Sequence, residues 1–139
     1  MTLEPREYRT SSATLTVVRP DLLEIRYDPG TIFNLQNVGE VQMKRRELMA
    51  NRPYMTLTII PEDVDYSLDS THTDQGKPDR GEGRLLASAI VARASMIQML
   101  TKLYFSYFPQ LHRILVTDDE LAARAWLDQQ IREIASTGS

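Results

Sequence analysis

The chain contains no cysteine. Disulfides, thiolate metal sites and a cysteine nucleophile are therefore excluded, and the composition is compatible with a reducing compartment. Histidine is almost as scarce. His72 and His112 are the only two, so any nucleophilic triad would have to take its base from one of them. Long apolar runs are missing too: none approaches the roughly 20 residues needed to cross a bilayer, and no membrane span is expected. Nor is there an excess of positive charge. The formal net charge is -3, which gives no general attraction for nucleic acid, because that binding relies on clustered Lys and Arg. The only basic run, Lys44-Arg45-Arg46, is explained as a solvated late turn of a helix, where cations suit the dipole. The N-terminal stretch carries Glu4, Arg6, Glu7 and Arg9 and no apolar segment, so it reads as neither a signal nor a transit peptide. A cytoplasmic location is the expectation that follows.

What is present is an ordinary globular composition. With 42% apolar and 25% charged residues, a chain of 139 residues can bury about two-thirds of its unfolded surface in one core. We divide it into an N-terminal arm, residues 1–11, and a single domain, residues 12–136, with a long polar loop at 61–83.

Ala13 to Val18 and Leu22 to Tyr27 alternate and are rich in β-branched residues on either side of Arg19-Pro20-Asp21, which predicts an antiparallel hairpin. Asp28-Pro29-Gly30 stops the second strand. Asn34 or Asn37 caps a helix running to about Ala50, with Leu35, Val38, Val41, Leu48 and Met49 on its inner face. Tyr54 to Ile60 has strong β propensity and should lie centrally in a sheet. The loop that follows is longer than compact domains usually tolerate, and a short helix is expected near Asp79 to Leu86. Ala87 to Arg93 reads as a buried strand, and Ser95 with Gln98 forms a capping box for a helix running to Phe108 before Pro109. Leu111 to Val116 is the last strand. Thr117 with Glu120 repeats the capping pattern, opening a final helix with Leu121, Ala122, Ala125, Trp126, Leu127, Ile131 and Ile134 as its apolar set. This order predicts an α/β fold: a mixed sheet of five strands, an N-terminal hairpin followed by parallel crossovers, covered by three to four helices.

Several local patterns fit that order. They are Asn51-Arg52-Pro53-Tyr54 entering the central strand, Leu103-Tyr104-Phe105-Ser106-Tyr107-Phe108 in the aromatic helix, and Ile114-Leu115-Val116-Thr117 leading to Ala123-Arg124-Ala125-Trp126-Leu127. In these residues the chain resembles the STAS-like domains, the fold of the anti-sigma factor antagonists, and in particular a bacterial STAS-like family of unknown function. The likeness spans roughly residues 12 to 130 and rests mainly on packing motifs. In regulatory STAS domains, a serine after the central strand is phosphorylated by a partner kinase at the start of the next helix. The corresponding region here holds Asp65-Tyr66-Ser67 and Asp69-Ser70-Thr71, without the tight aspartate-serine turn into a helix. The resemblance makes Ser67 and Ser70 candidate phosphosites, with ordinary loop polarity as the default.

Candidate chemistry elsewhere is sparse. His112 falls in a predicted strand, and His72 sits in the polar loop with Asp65, Asp69 and Asp74, a weak pattern for zinc. Gly76-Lys77-Pro78-Asp79-Arg80-Gly81-Glu82-Gly83-Arg84 mixes glycine with basic residues but fails the P-loop spacing. Glu62, Asp63 and Asp65 cluster only in sequence, which identifies no hydrolytic pair. No catalytic residue, no metal and no cofactor is expected. The aromatic helix is the sharpest feature, because Met96, Met99, Tyr104, Phe105, Tyr107 and Phe108 supply more apolar surface than one face can cover. The expectation is a noncatalytic STAS-like protein-interaction or regulatory module whose partner is another protein or itself, as a homodimer through this helix. The alternative is a domain that binds a small apolar ligand or lipid.

Overall fold

The computed structural model describes residues 6–49, 53–66, 85–92, 101 and 113–136. In chain order the elements are β1 (Arg6–Arg9), β2 (Ala13–Arg19), β3 (Leu22–Tyr27), β4 (Thr31–Phe33), α1 (Leu35–Met49), β5 (Tyr54–Ile60), β6 (Val64–Tyr66), β7 (Leu85–Ala92), β8 (Arg113–Thr117) and α2 (Glu120–Ser136). Six strands form one mixed sheet in the order β1-β2-β3-β5-β7-β8, and β4 pairs with β6 in a separate parallel ribbon. The β1, β2 and β3 strands are antiparallel, whereas β3, β5, β7 and β8 run parallel. As expected, Tyr54 to Ile60 lies inside the sheet, between β3 and β7.

The sheet has six strands rather than five. The extra one, β1, falls inside the stretch read as an arm. It was not legible because Arg-Glu-Tyr-Arg lacks alternating apolar residues, and an edge strand does not need them. Leu85 and Leu86 belong to β7 rather than to a helix near 79–86, and residues 79–84 lie outside the described residues. A register shift between Tyr54 and Met55 accommodates this longer β7. Two helices, α1 and α2, are described in full. Within the expected third, Thr101 alone is described, and it is helical.

The sheet buries two clusters, one on each face. Ala13, Leu15, Leu23, Ile25, Tyr27, Tyr54, Ile60, Ile90 and Ala92 join Val41 and Met49 of α1. On the opposite face Leu22, Met55, Leu57, Ala87, Ala89 and Val91 meet Ala123 and Leu127 of α2. The period-2 alternation along β5 and β7 sends successive side chains to opposite clusters, so both strands are buried on both sides.

Capping explains where the helices begin. The Asn34 side-chain oxygen accepts the Asn37 amide at 2.8 Å, which selects Asn34 over Asn37 as the cap of α1. At α2 the cap is Asp119 rather than Thr117: its Oδ1 accepts the amides of Leu121 at 2.9 Å and Ala122 at 3.2 Å. The Thr117 hydroxyl accepts the Asp119 amide at 3.2 Å, one step before the helix. The apolar set of α2 divides between two surroundings. Trp126, Leu127 and Ile131 do pack inward, but Leu121 is 79% exposed and Ala122 and Ala125 face outward. The turn after β3 is as expected, with Gly30 at φ 78, a backbone conformation that glycine adopts without strain. The Gly30 amide donates to the Asp63 carbonyl and so ties this turn to the approach of β6.

Candidate functional site

Met96, Met99, Tyr104, Phe105, Tyr107 and Phe108 lie outside the described residues, as do Ser67, Ser70, His72, His112 and the glycine-rich stretch 76–84. Among the described residues, polar side chains gather between the sheet and α2, under α1, and between β5 and β7.

The densest of these joins β3 to α2. Glu24 and Arg26 are two residues apart on one strand and so share the α2 face of the sheet. Glu120 and Arg124 are one helical turn apart on α2. Arg26 contacts Glu24 at 2.7 Å and Glu120 at 3.3 Å, and Arg124 contacts Glu24 at 3.2 Å and Glu120 at 3.1 Å. Each charge thus meets two of opposite sign. Burial alone would raise the Glu120 carboxyl, but Arg124 and Arg26 outweigh it and hold the group below the usual glutamate range. A carboxylate kept ionised and doubly paired is poorly suited to deliver a proton. Further along the same helix, Arg113 of β8 reaches Gln130 and Glu133, both at 2.6 Å. These contacts dock α2 onto the sheet.

The second constellation lies under α1 and departs from the sequence expectation. Arg45 is not in a solvated turn; it is 3% exposed. Its Nε donates to the Gln42 side chain at 2.7 Å, and Nη1 donates to the Tyr54 hydroxyl. The signal was available, because Val41, Arg45 and Met49 sit at four-residue spacing and the outer two are fully buried. Lys44, beside it, places its amine 5.3 Å from the centre of the Tyr8 ring. Tyr27, packed against Phe33 with ring centroids 4.6 Å apart, is pushed well above the ordinary tyrosine range by burial, against the opposing charge of Arg45. Its phenol stays protonated at neutral pH.

A third feature is internal to the sheet. Thr56 and Ser88 oppose each other across β5 and β7, both buried, with their hydroxyl oxygens 2.7 Å apart. Two short polar side chains in a sheet interior are tolerated because each satisfies the other. Among the described residues no group of three or more His, Asp or Glu is placed to hold a metal ion, and no helix is long and apolar enough to cross a membrane.

No protein-family model and no curated protein matches the chain. Solved structures do. One of them, an uncharacterized protein of the DUF3478 family with a SpoIIAA-like fold from Shewanella loihica PV-4, aligns with a TM-score of 0.54 over 89% of this chain and 92% of its own, at 13% identity. Identity that low speaks for the fold alone. The six-stranded mixed sheet with its antiparallel start and parallel continuation is accordingly a SpoIIAA-like, STAS-like architecture.

Proposed function

We propose that this chain is a noncatalytic STAS-like protein-interaction or regulatory module that self-associates. The reading is supported by the way the described polar groups are used. Glu24, Arg26, Glu120 and Arg124 neutralise one another, Arg45 is engaged by Gln42 and Tyr54, and Thr56 is engaged by Ser88. Groups spent on holding α1, α2 and the sheet together are not free to turn over a substrate. The contact surface in this proposal is the aromatic stretch from Met96 to Phe108, argued from its apolar content in the sequence.

Light scattering coupled to size exclusion tests the proposal. A mass near twice 15.9 kDa that falls on dilution is expected, and a clean monomer at every concentration counts against self-association. Native mass spectrometry separates the alternative, since a retained apolar molecule on a monomeric chain would favour ligand binding instead.

A further inference from the structure

β1 differs from every other strand of the large sheet. It has four residues, of which Arg6, Glu7 and Arg9 are exposed and Tyr8 is half-buried. Among the described residues it lies at one edge and pairs with β2 alone. None of its residues joins either buried cluster. Tyr8, half-buried opposite Leu15, is its one apolar contribution, and the side-chain bonds of the strand and of the turn that follows it lie near water. Arg9 bonds Asp28 at 2.9 and 2.7 Å, with the two side chains 55% and 40% exposed. Lys44 caps the Tyr8 ring, and Ser11, in the turn to β2, donates its hydroxyl to Glu40 of α1 at 2.7 Å. Contacts of this kind add little in water, and segments with few buried apolar contacts open locally long before the fold is lost.

β2 is the opposite case. Ala13 and Leu15 are fully buried under the α1 face, so β2 stays in place when β1 leaves. Its edge would then present the ladder groups of Thr14 to Val17, in a run Ala-Thr-Leu-Thr-Val-Val with no charge before Arg19. Short charged strands are a common means of blunting a sheet edge, and β1 has that character whereas β2 does not.

We propose that β1 is a displaceable cover strand, and that the β2 edge beneath it is a pairing site for β2 of a second copy of this chain. Self-pairing fits the side-chain pattern. In a two-fold antiparallel pair centred on Leu15, Ala13 opposes Val17 and Thr14 opposes Thr16. Apolar residues of both copies then share the α1 side, and the threonines share the open face. The association needs nothing from the 96–108 stretch, so it stands apart from the function proposed above.

Hydrogen exchange and light scattering together test it. In the intact chain, amides of residues 6–9 should exchange at least ~100-fold faster than those of β5, in keeping with local opening. Removing residues 1–10 should at least double the mass seen for the intact chain at the same concentration, whatever that mass is. In the intact chain a Glu7→Cys, Thr16→Cys pair, facing each other across β1 and β2, should when oxidised slow exchange at residues 6–9 and hold the mass at its starting value at concentrations where the reduced form associates further. Protection of β1 equal to that of β5 overturns the proposal. So does a shortened chain that is folded by circular dichroism yet unchanged in mass. Should the shortened chain not fold, the exchange rates of the intact and cross-linked forms decide.

Discussion

The two halves of the large sheet solve the burial problem differently. In β5 and β7 both faces are covered: Met55, Leu57, Ala87 and Ala89 point toward α2, while Tyr54, Thr56, Ser88 and Ile90 point the other way and are equally buried. In β2 only the α1 face joins a buried cluster, β1 joins neither, and in β3 the α2 face adds Leu22 alone, at the strand's start. The rest of that face carries Glu7, Arg9, Thr14, Thr16, Glu24 and Arg26. Parallel strands joined by crossovers are boxed in on both sides, whereas an antiparallel edge can leave one side to water. Substitutions should therefore be felt on both faces of the parallel half and on one face only of the antiparallel half.

Leu57→Ala is the strongest way to break that contrast. Leu57 is fully buried on β5 against the α2 cluster, and its truncation should lower stability by about 2–5 kcal/mol. Thr16→Ala, on the open face of β2, should change it by no more than ~0.5 kcal/mol. Urea denaturation of the two variants gives both values, and equal losses would mean that the open face is packed after all.

Two arginines sharpen the same comparison. Arg45→Ala removes a buried cation whose partners include Tyr54 and Gln42, and a loss of about 1.5–3 kcal/mol is expected for hydrogen bonds to a buried charged group. Arg9→Ala, on the exposed side of β1, should leave the global unfolding midpoint almost where it was. A large drop for Arg9→Ala would show that β1 unfolds with the body of the sheet.

Within the parallel half, the Thr56 and Ser88 hydroxyls allow a finer test. Thr56→Val should cost about 1–3 kcal/mol because it leaves the Ser88 hydroxyl without its sheet partner. Adding Ser88→Ala should return part of that loss. A double-mutant cycle on thermal or urea unfolding measures the coupling, and strictly additive losses would mean the hydroxyls do not depend on each other.

The same division explains what could be anticipated from residues alone. Ala13 to Val18, Leu22 to Tyr27 and Tyr54 to Ile60 carry strong β-branched patterns and were placed correctly to within a residue. The three-residue strands β4 and β6 are too short for any periodicity to emerge, and β1 is hidden by its charges. Arg45 shows a subtler failure. Three basic residues in a row read as one solvated group, although their helical positions send Lys44 and Arg45 to different surroundings. The Glu24, Arg26, Glu120 and Arg124 network joins residues about a hundred positions apart, and no local pattern announces such a pairing. The aromatic stretch and the loop serines, singled out from the sequence, lie outside the described residues.

That network should also set a modest pH dependence. Glu120 is held below the ordinary glutamate range, so the unfolded chain takes up its proton first as pH falls, at about 4.3. The sign follows from linkage: the stability this group adds is full above that value, shrinks as pH drops toward the folded-state value, and is gone below it. Glu120 and Arg124 are about one-third exposed, so the advantage of the wild type over Glu120→Gln at neutral pH should not exceed ~1 kcal/mol. Urea unfolding of both proteins from neutral pH down through the carboxylate range should show two curves that converge in acid, with a gap that narrows when salt is added. A wild type that is the less stable of the two at neutral pH and gains on Glu120→Gln as pH falls would mean that burial, which pushes this carboxyl up, prevails over its two arginines.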